Sequence, residues 1–433
     1  MSSLTKAGAY SLKAFKIYKL EDDSKDPIDL KGKIAGFTVN ESMGSTYIYG
    51  SATVYDTANT IENYPISGEE VLEITYVDFF GDERTEKMFV YSVTNHKLAK
   101  EGNDQLIQYT LNYCSLDKFY TDTVTVEKSY TGTTSEIAEI IFEEFYRAAG
   151  AEKPFEAEES DNLQTLVIPS YRPDEAMNFL SKRSVSTESY SSFYRFFETR
   201  EGFFFTTPEY HVRKSEQSNT PPVKYIYDMQ ADSTPEGQIQ HMNSIIEVDF
   251  GTRVDTMSDL KSGGYHRNVV ELDILNRTPI YREYNHHDAI DSIHAPGGRK
   301  KIKLAHEESF SNKHLTDGPT IYVIKDYPSE GMNTGVGNSL RKNTSYAETY
   351  TRKVAYAYHY MQNSISVKIY GRTKGVKPGD IIELDLYKFQ FQVGQTQSNI
   401  ERSGKYIVES VQNIFDKDEY YQTLTVTKGA LGA

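Results

Sequence analysis

The chain has 433 residues, enough for two to four domains, and its formal net charge of −15 excludes a static nucleic-acid binder, because phosphates would be repelled over most of the surface. The same charge leaves open a channel through which DNA slides without sticking. A mean hydropathy of −0.58 and the lack of any apolar run of ~18 residues exclude an integral helical membrane protein, and 34 Tyr and 21 Phe with no Trp suit sheet surfaces and subunit contacts.

Met1 to Tyr10 lacks the apolar segment of a signal peptide, so folding in the cytoplasm is expected. Alternating segments follow at 31–39 and 45–55, then the turn Pro65–Gly68 into Glu70–Val77. A second turn at Phe80–Glu83 leads into Lys87–Thr94, and the polar stretch 101–104 separates it from Gln105–Tyr113. Cys114, the single cysteine, rules out an internal disulfide and a cysteine cluster for metal, and its alternating context reads as a buried or rim thiol rather than a nucleophile. Short strands at this spacing predict a small barrel or sandwich over residues 1–130.

The character changes after Tyr130. Thr133–Glu136 fits a capping box, Ile137, Ile140, Ile141, Phe145 and Ala148 recur at helical spacing, and Gly150 stops the helix. A second helix is predicted from Pro173 to Arg183, followed by a hairpin over 192–198 and 203–207. Residues 131–222 thus read as an inserted α+β unit ending in the polar, Pro-containing linker 218–222. Strands return at 243–250 and 269–274. Residues 285–345 are rich in His, Gly, Asn and Lys and read as loops or an insertion, and a helix over 345–361 carries Tyr346, Tyr350, Val354 and Tyr358 on one stripe. Strands at 364–370, 380–386, 405–411 and 421–427 close the chain.

The two strand-rich ends resemble each other. Pro65-x-x-Gly68-Glu69 and Pro378-Gly379-Asp380 each introduce an acidic-apolar strand, and Phe89–Asn95 and Ile407–Asn413 share V-x-S-V-x-N. Each is followed by a polar loop and a final strand. Two β-hairpins of convergent composition are one reading; tandem duplication of a β-barrel module around the α+β insertion is the other, favoured by the order of features. The fold class expected is mainly β, with two related tube-like β-barrel domains (1–130, and 223–284 with 362–433), the α+β insertion (131–222) and a loop-rich elaboration with a helix (285–361). A cyclic trimer of such chains would present six similar modules.

Taken in order, the first barrel, the capped helix 134–149, the helix 174–183 with its aromatic hairpin Tyr194–Phe205, and the C-terminal run Ile365–Gly371 then Gly375–Asp380 resemble the baseplate central hub family of contractile-tailed phages. That family includes the central hub of T-even phages, late-control-D-like proteins and the N-terminal part of type VI secretion spike proteins. The resemblance implies a non-enzymatic homotrimeric ring in the virion baseplate, assembled in the host cytoplasm. It would join the six-fold tail tube or its initiator ring to a three-fold central spike or needle, with DNA only passing through the lumen and no membrane span. The 285–345 region looks longer than the family core needs and suggests contact with baseplate wedge proteins. No lysozyme-like or OB-fold spike follows in the sequence, so a separate spike chain is expected. A host-binding or spike-associated adhesin is the alternative, which would share the composition but has no need of two barrels.

For chemistry, His287, Asp291 and His294 are the one His/Asp grouping (within His286–His294) with metal-ligand spacing, and Ala295–Gly298 after them favours a loop over a site; no cofactor is expected. Glu143–Glu144 and Glu158–Glu159 do not supply two opposed carboxylates for glycoside hydrolysis and read as solvated faces. Tyr346, Tyr350 and Tyr358 are candidates for the oligomer interface, with packing inside the chain as the competing reading.

Overall fold

The computed structural model describes residues 6–19, 27–57, 60–101, 104–161, 163–189, 191–227, 235–251, 261, 266–274, 276–285, 319–324, 349–350, 352–354, 356–357, 363–386 and 402–429. The N-terminal alternation forms β1 (Ser11–Lys19), β2 (Ile28–Asp29), β3 (Ile34–Ser42), β4 (Tyr49–Asp56), β5 (Glu70–Val77), β6 (Glu83–Glu101) and β7 (Asp104–Ser115), with short helices α1 (Thr60–Asn63) and α2 (Leu116–Thr121). Their order across the sheet is β3-β4-β7-β6-β5-β1-β2, antiparallel throughout. The two Gly turns stand where the sequence puts them: Gly68 and Gly81 adopt φ of +88° and +86° on either side of β5. The half-sheet curls enough that Phe15 on β1 meets Phe37 on β3, ring centroids 5.6 Å apart.

The middle unit contains β8 (Ser129–Thr133), α3 (Thr134–Ile141), β9 (Phe155–Ala157), β10 (Ser160–Asp161), β11 (Leu163–Val167), α4 (Pro173–Ser181), β12 (Val185–Ser186), β13 (Arg195–Glu198), β14 (Phe203–Thr206) and α5 (Pro208–Gln217). The capping box forms as read: Glu136 N–H donates to Thr133 Oγ1 at 3.3 Å, and Thr133 N–H donates to Glu136 Oε2 at 2.8 Å. The helix then widens into a π-turn over Phe142–Arg147. Phe142 and Tyr146 of this turn lie in the core beside Phe196 and Phe203, whereas Ile140, read as part of the apolar stripe, is exposed on α3.

The C-terminal part contains β15 (Val223–Ile226), α6 (Pro235–His241), β16 (Ile245–Asp249), β17 (His266–Asp273), β18 (Thr278–Asn285), β19 (Thr320–Ile324), β20 (Asn363–Tyr370), β21 (Ile381–Asp385), β22 (Gly404–Asp416) and β23 (Glu419–Lys428). Strand β17, which the alternation placed with the second barrel, instead makes a separate sheet, β18-β17-β19. β19 is a strand inside the stretch read as loops. Its run Thr320-Ile-Tyr-Val-Ile324 is β-branched and aromatic, but it pairs in parallel with residues 52 positions earlier, Asn268 with Thr320, a contact that local pattern does not carry. Of the helix read over 345–361, residues 349–350, 352–354 and 356–357 are described, and they are helical.

The two ends share one topology. The C-terminal order β16-β20-β23-β22-β21-β15 repeats β3-β4-β7-β6-β5-β1 place for place. One difference is that β15 lies parallel to β21 whereas β1 is antiparallel to β5. Even the irregularities coincide. Register slips between Val90 and Ser92 on β6 and between Val408 and Ser410 on β22, so the x of the shared V-x-S-V is a β-bulge residue in both copies. A second pair of slips follows Ile34 on β3 and Ile245 on β16.

Neither end forms a closed barrel among the described residues. At its bulge β22 leaves β21 and pairs with β3, so the two curled halves open into each other as one 13-stranded sheet. The seam is packed by aromatics: Phe415 stacks on Phe37 and on Tyr420 with centroids 4.2 and 4.1 Å apart.

Candidate assembly junction and open strand edges

The tip of the β13–β14 hairpin inserts into the seam between the halves. There Arg200, its side chain 6% exposed, donates from Nε to Glu41 Oε1 at 2.6 Å and from its backbone N–H to Glu41 Oε2 at 2.8 Å. Its other nitrogens donate to the Tyr76 hydroxyl at 3.1 Å and to Asn413 Oδ1 at 3.2 Å, with the Glu86 carboxylate 3.5 Å away. Glu41, Tyr76 and Glu86 belong to the first half, Asn413 to the second and Arg200 to the insertion. One guanidinium therefore ties three units, and the surrounding carboxylates hold it charged. Asn413, the N of V-x-S-V-x-N, spends its side chain here as well: Oδ1 also accepts from Tyr420 and Gln422, and Nδ2 donates to Val39 O.

Two further ion pairs flank the hairpin. Arg195 reaches Glu409, the bulge residue of β22, at 2.5 Å. Glu198 accepts from Ile48 N–H at 3.1 Å, from Ser115 Oγ at 2.6 Å and from Lys153. A cleft of ≈ 490 Å³ lies beside this junction, lined by Arg84, Glu86, Lys87, Asp117, Lys153 and Arg200 among others. Burial pushes the Asp117 carboxyl up to about 6. Three of its charged groups are joined to carboxylates of the junction: Arg84 and Arg200 to Glu86, and Lys153 to Glu198.

Two buried groups at the base of the insertion are held neutral. Glu209 at the first turn of α5 accepts from Ser191 Oγ at 3.0 Å, and burial raises its carboxyl to about 8. The His211 ring bonds Thr206 Oγ1 at 2.9 Å and packs on Phe197, Phe204 and Gly379; burial lowers it to about 4. Gly379, of the Pro378-Gly379-Asp380 turn, has φ +92°, and a Cβ there would lie 2.7 Å from the ring.

The face of the sheet opposite the core is a carpet of small uncharged polar side chains. Register places Thr38 beside Ser51 and Ser51 beside Asn112, Thr53 beside Thr110, Asn40 beside Gln412 and Gln412 beside Thr423, and Ser410 and Ser366 on either side of Thr425. Several bond one another, as Asn112 does to Ser92 and Thr94 at 3.0 Å. Charges enter this face at Lys97, Lys368, Asp416 and Glu419 and, on β16, at Glu247 and Asp249, among others.

Of the residues singled out by sequence, His287, Asp291, His294, Tyr346 and Tyr358 lie outside the described residues. Tyr350 is half-buried with the Arg267 guanidinium 5.5 Å from its ring centroid, a contact within the chain. Cys114 is buried, and burial pushes its thiol up to about 12. The Glu158–Glu159 pair is not a solvated face: Glu158 is buried and accepts from Thr207 N–H and Oγ1, Ser186 Oγ and Arg213. Neighbouring Glu residues look alike in sequence whether a buried helix start waits for one or not. Sequence reasoning passed over Arg200 and α5 altogether; Thr207-Pro208, an N-cap followed by Pro at the first turn, was the available signal for α5.

No family model matches the chain, and no curated protein does. Among solved structures, the tail protein from Neisseria meningitidis MC58 aligns with a TM-score of 0.52 at 9% identity, over 97% of this chain and 96% of that one. A 43 kDa tail protein of prophage MuSo2 from Shewanella oneidensis aligns at 0.48 and 9% identity over 96% and 97% of the two chains. A component of the type VI secretion system of E. coli aligns at 0.41 and 11% identity over 96% and 79%. The chain thus shares its fold, nearly end to end, with a solved tail protein, in keeping with the resemblance of its sequence to the baseplate-hub family.

Proposed function

We propose that the chain is a structural subunit of a contractile phage tail: a baseplate hub protein that forms a three-chain ring, joins the six-fold tail tube to the three-fold spike, and lets DNA pass. The observation that carries this reading is the repeated half-sheet. Two units of one topology, fused through β22 and β3, let three chains present six near-equivalent units to a six-fold partner and three equivalent sites to a spike. The domains proposed are those expected from sequence except that β17 and β18, which share a sheet with β19, go with the 285–361 region, proposed as a peripheral surface for wedge proteins. The Ser/Thr/Asn/Gln face supports a channel wall. Hydroxyls and amides stay hydrated, and the cations Lys97 and Lys368 share the face with carboxylates such as Asp416 and Glu247, so DNA would travel without being held.

The chemistry of the buried groups is that of a scaffold: Arg200 and Glu198 are consumed by bonds that join units, and Glu158 by bonds within the insertion. Mass measured by light scattering on the purified full chain tests the reading. Three chains of 49.3 kDa, about 148 kDa, alone or on addition of the tube or spike partner, are expected. A single chain under all these conditions would overturn it.

A further inference from the structure

The internal joint between the halves specifies the joint between chains, provided that the ring reading holds. Upstream of its bulge, β22 pairs with β21; downstream, Ser410–Asp416 pairs with β3. β6 makes half of the same exchange. Glu83–Val90 pairs with β5, but beyond the bulge the strand keeps β7 on one edge, and among the described residues no strand lies on the other. β16, which holds the place of β3, is bonded to β20 on one edge; on the other, Ser244 just before it bridges Ile226, and among the described residues no strand pairs with Glu247–Asp249. One half of the molecule therefore has the socket without the strand, and the other has the strand without the socket.

Transferring the β22–β3 register onto these strands fixes the contact. Thr38, Phe37 and Gly36 of β3 face Ile414, Phe415 and Asp416. Counted from the bulges, their counterparts on β16 are Asp249, Val248 and Glu247. Ile414 and Phe415 pair with Tyr421 and Tyr420, whose counterparts on β7, Gln108 and Ile107, pair with Lys97 and Leu98. We infer that β16 of one copy adds antiparallel to the β6 arm of the next copy, with Lys97 opposite Asp249 and Leu98 opposite Val248.

Three observations converge on this contact. Leu98 is 71% exposed, whereas its counterpart Phe415 is buried between Phe37 and Tyr420; docking of β16 gives Leu98 an apolar partner. Lys97 and Asp249 are exposed and of opposite charge, so the register that buries Leu98 also pairs the charges, and a slip by one residue would place both wrongly. Among the described residues neither edge has a neighbouring strand at these positions, and extended strands satisfy such an edge by adding one. The contact is heterologous, head to tail, and closes into a ring rather than a dimer.

Cysteine pairing tests it. Directly opposed residues bring their Cβ atoms to about 4.5–5.5 Å, close enough for a disulfide with small adjustment. Full-length Leu98→Cys and Val248→Cys chains, mixed and oxidised, should give a covalent dimer on a non-reducing gel, and the double variant a covalent trimer. Val167→Cys, exposed elsewhere, should not link to Leu98→Cys. Lys97→Asp should shift the assembled species to single chains, and adding Asp249→Lys should restore it. A wild-type particle of three chains with no Leu98–Val248 link overturns the strand assignment and leaves the hub reading standing. A wild-type chain that stays single, alone and with its partners, and forms no link overturns both.

Discussion

Replacing Arg200 by Met keeps most of the side-chain volume and removes the charge on which three units converge. The Glu41 carboxylate, 1% exposed, would lose the Nε donor at 2.6 Å and keep the backbone N–H of residue 200 and a longer bond from Asn413 Nδ2 at 3.4 Å, neither of them a cation. Glu86, also buried, would lose a cation 3.5 Å away, and Tyr76 and Asn413 one donor each. Leaving a buried charge without its partner costs roughly 3–5 kcal/mol. With an unfolding entropy of about 2.1 cal/mol/K per residue, 433 residues unfolding together give about 0.9 kcal/mol/K, so Tm should fall by roughly 3–6 °C in a calorimetric scan. Arg200→Met with Glu41→Gln should recover part of that loss, because the amide does not strand a charge. A Tm within 1 °C of wild type for Arg200→Met, or a double variant worse than the sum of the singles, would refute the view that this guanidinium holds the halves together.

Glu209, neutral in the fold up to about pH 8 but ionised from about 4.5 once unfolded, penalises folding progressively as pH rises through that window. Glu209→Gln should therefore gain Tm relative to wild type between pH 4.5 and 8, and a difference that does not change with pH in thermal-shift assays would contradict this. His211 acts in the opposite sense: protonated at about 6.5 when unfolded but only near 4 when buried, it withdraws stability as pH falls from 6.5 to 4. His211→Gln should flatten that acid limb, and an unchanged acid limb would rule it out. Gly379→Ala, with φ +92° and a Cβ 2.7 Å from the His211 ring, should cost about 1–3 kcal/mol in urea unfolding; a neutral substitution would show that the turn relaxes freely.

Local signals in the sequence were enough for the turns, the capped helix and the aromatic hairpin. Gly68, Gly81 and Gly379 take the positive φ that their turns require, and Thr133 with Glu136 closes its box. The repeated V-x-S-V-x-N was visible as a pattern, but its meaning was not. The x is a bulge in both copies, and the Asn of the second copy is a buried acceptor for Arg200. What stayed hidden depends on pairing at a distance. β15 and β19 are short strands specified by parallel partners far along the chain, and nothing local announces that β22 changes partner at its bulge. The junction was hidden for a related reason. Arg200, in the turn Thr199-Arg-Glu-Gly202, looks like a solvated residue until three separate segments surround it.

Imaging the purified chain by electron microscopy, in projection down the particle axis, tests the central claim most directly. A ring with a central hole and six similar lobes, three pairs for three chains, is expected from the repeated half-sheets. An elongated three-chain particle without a hole, or a ring of three lobes only, would contradict it.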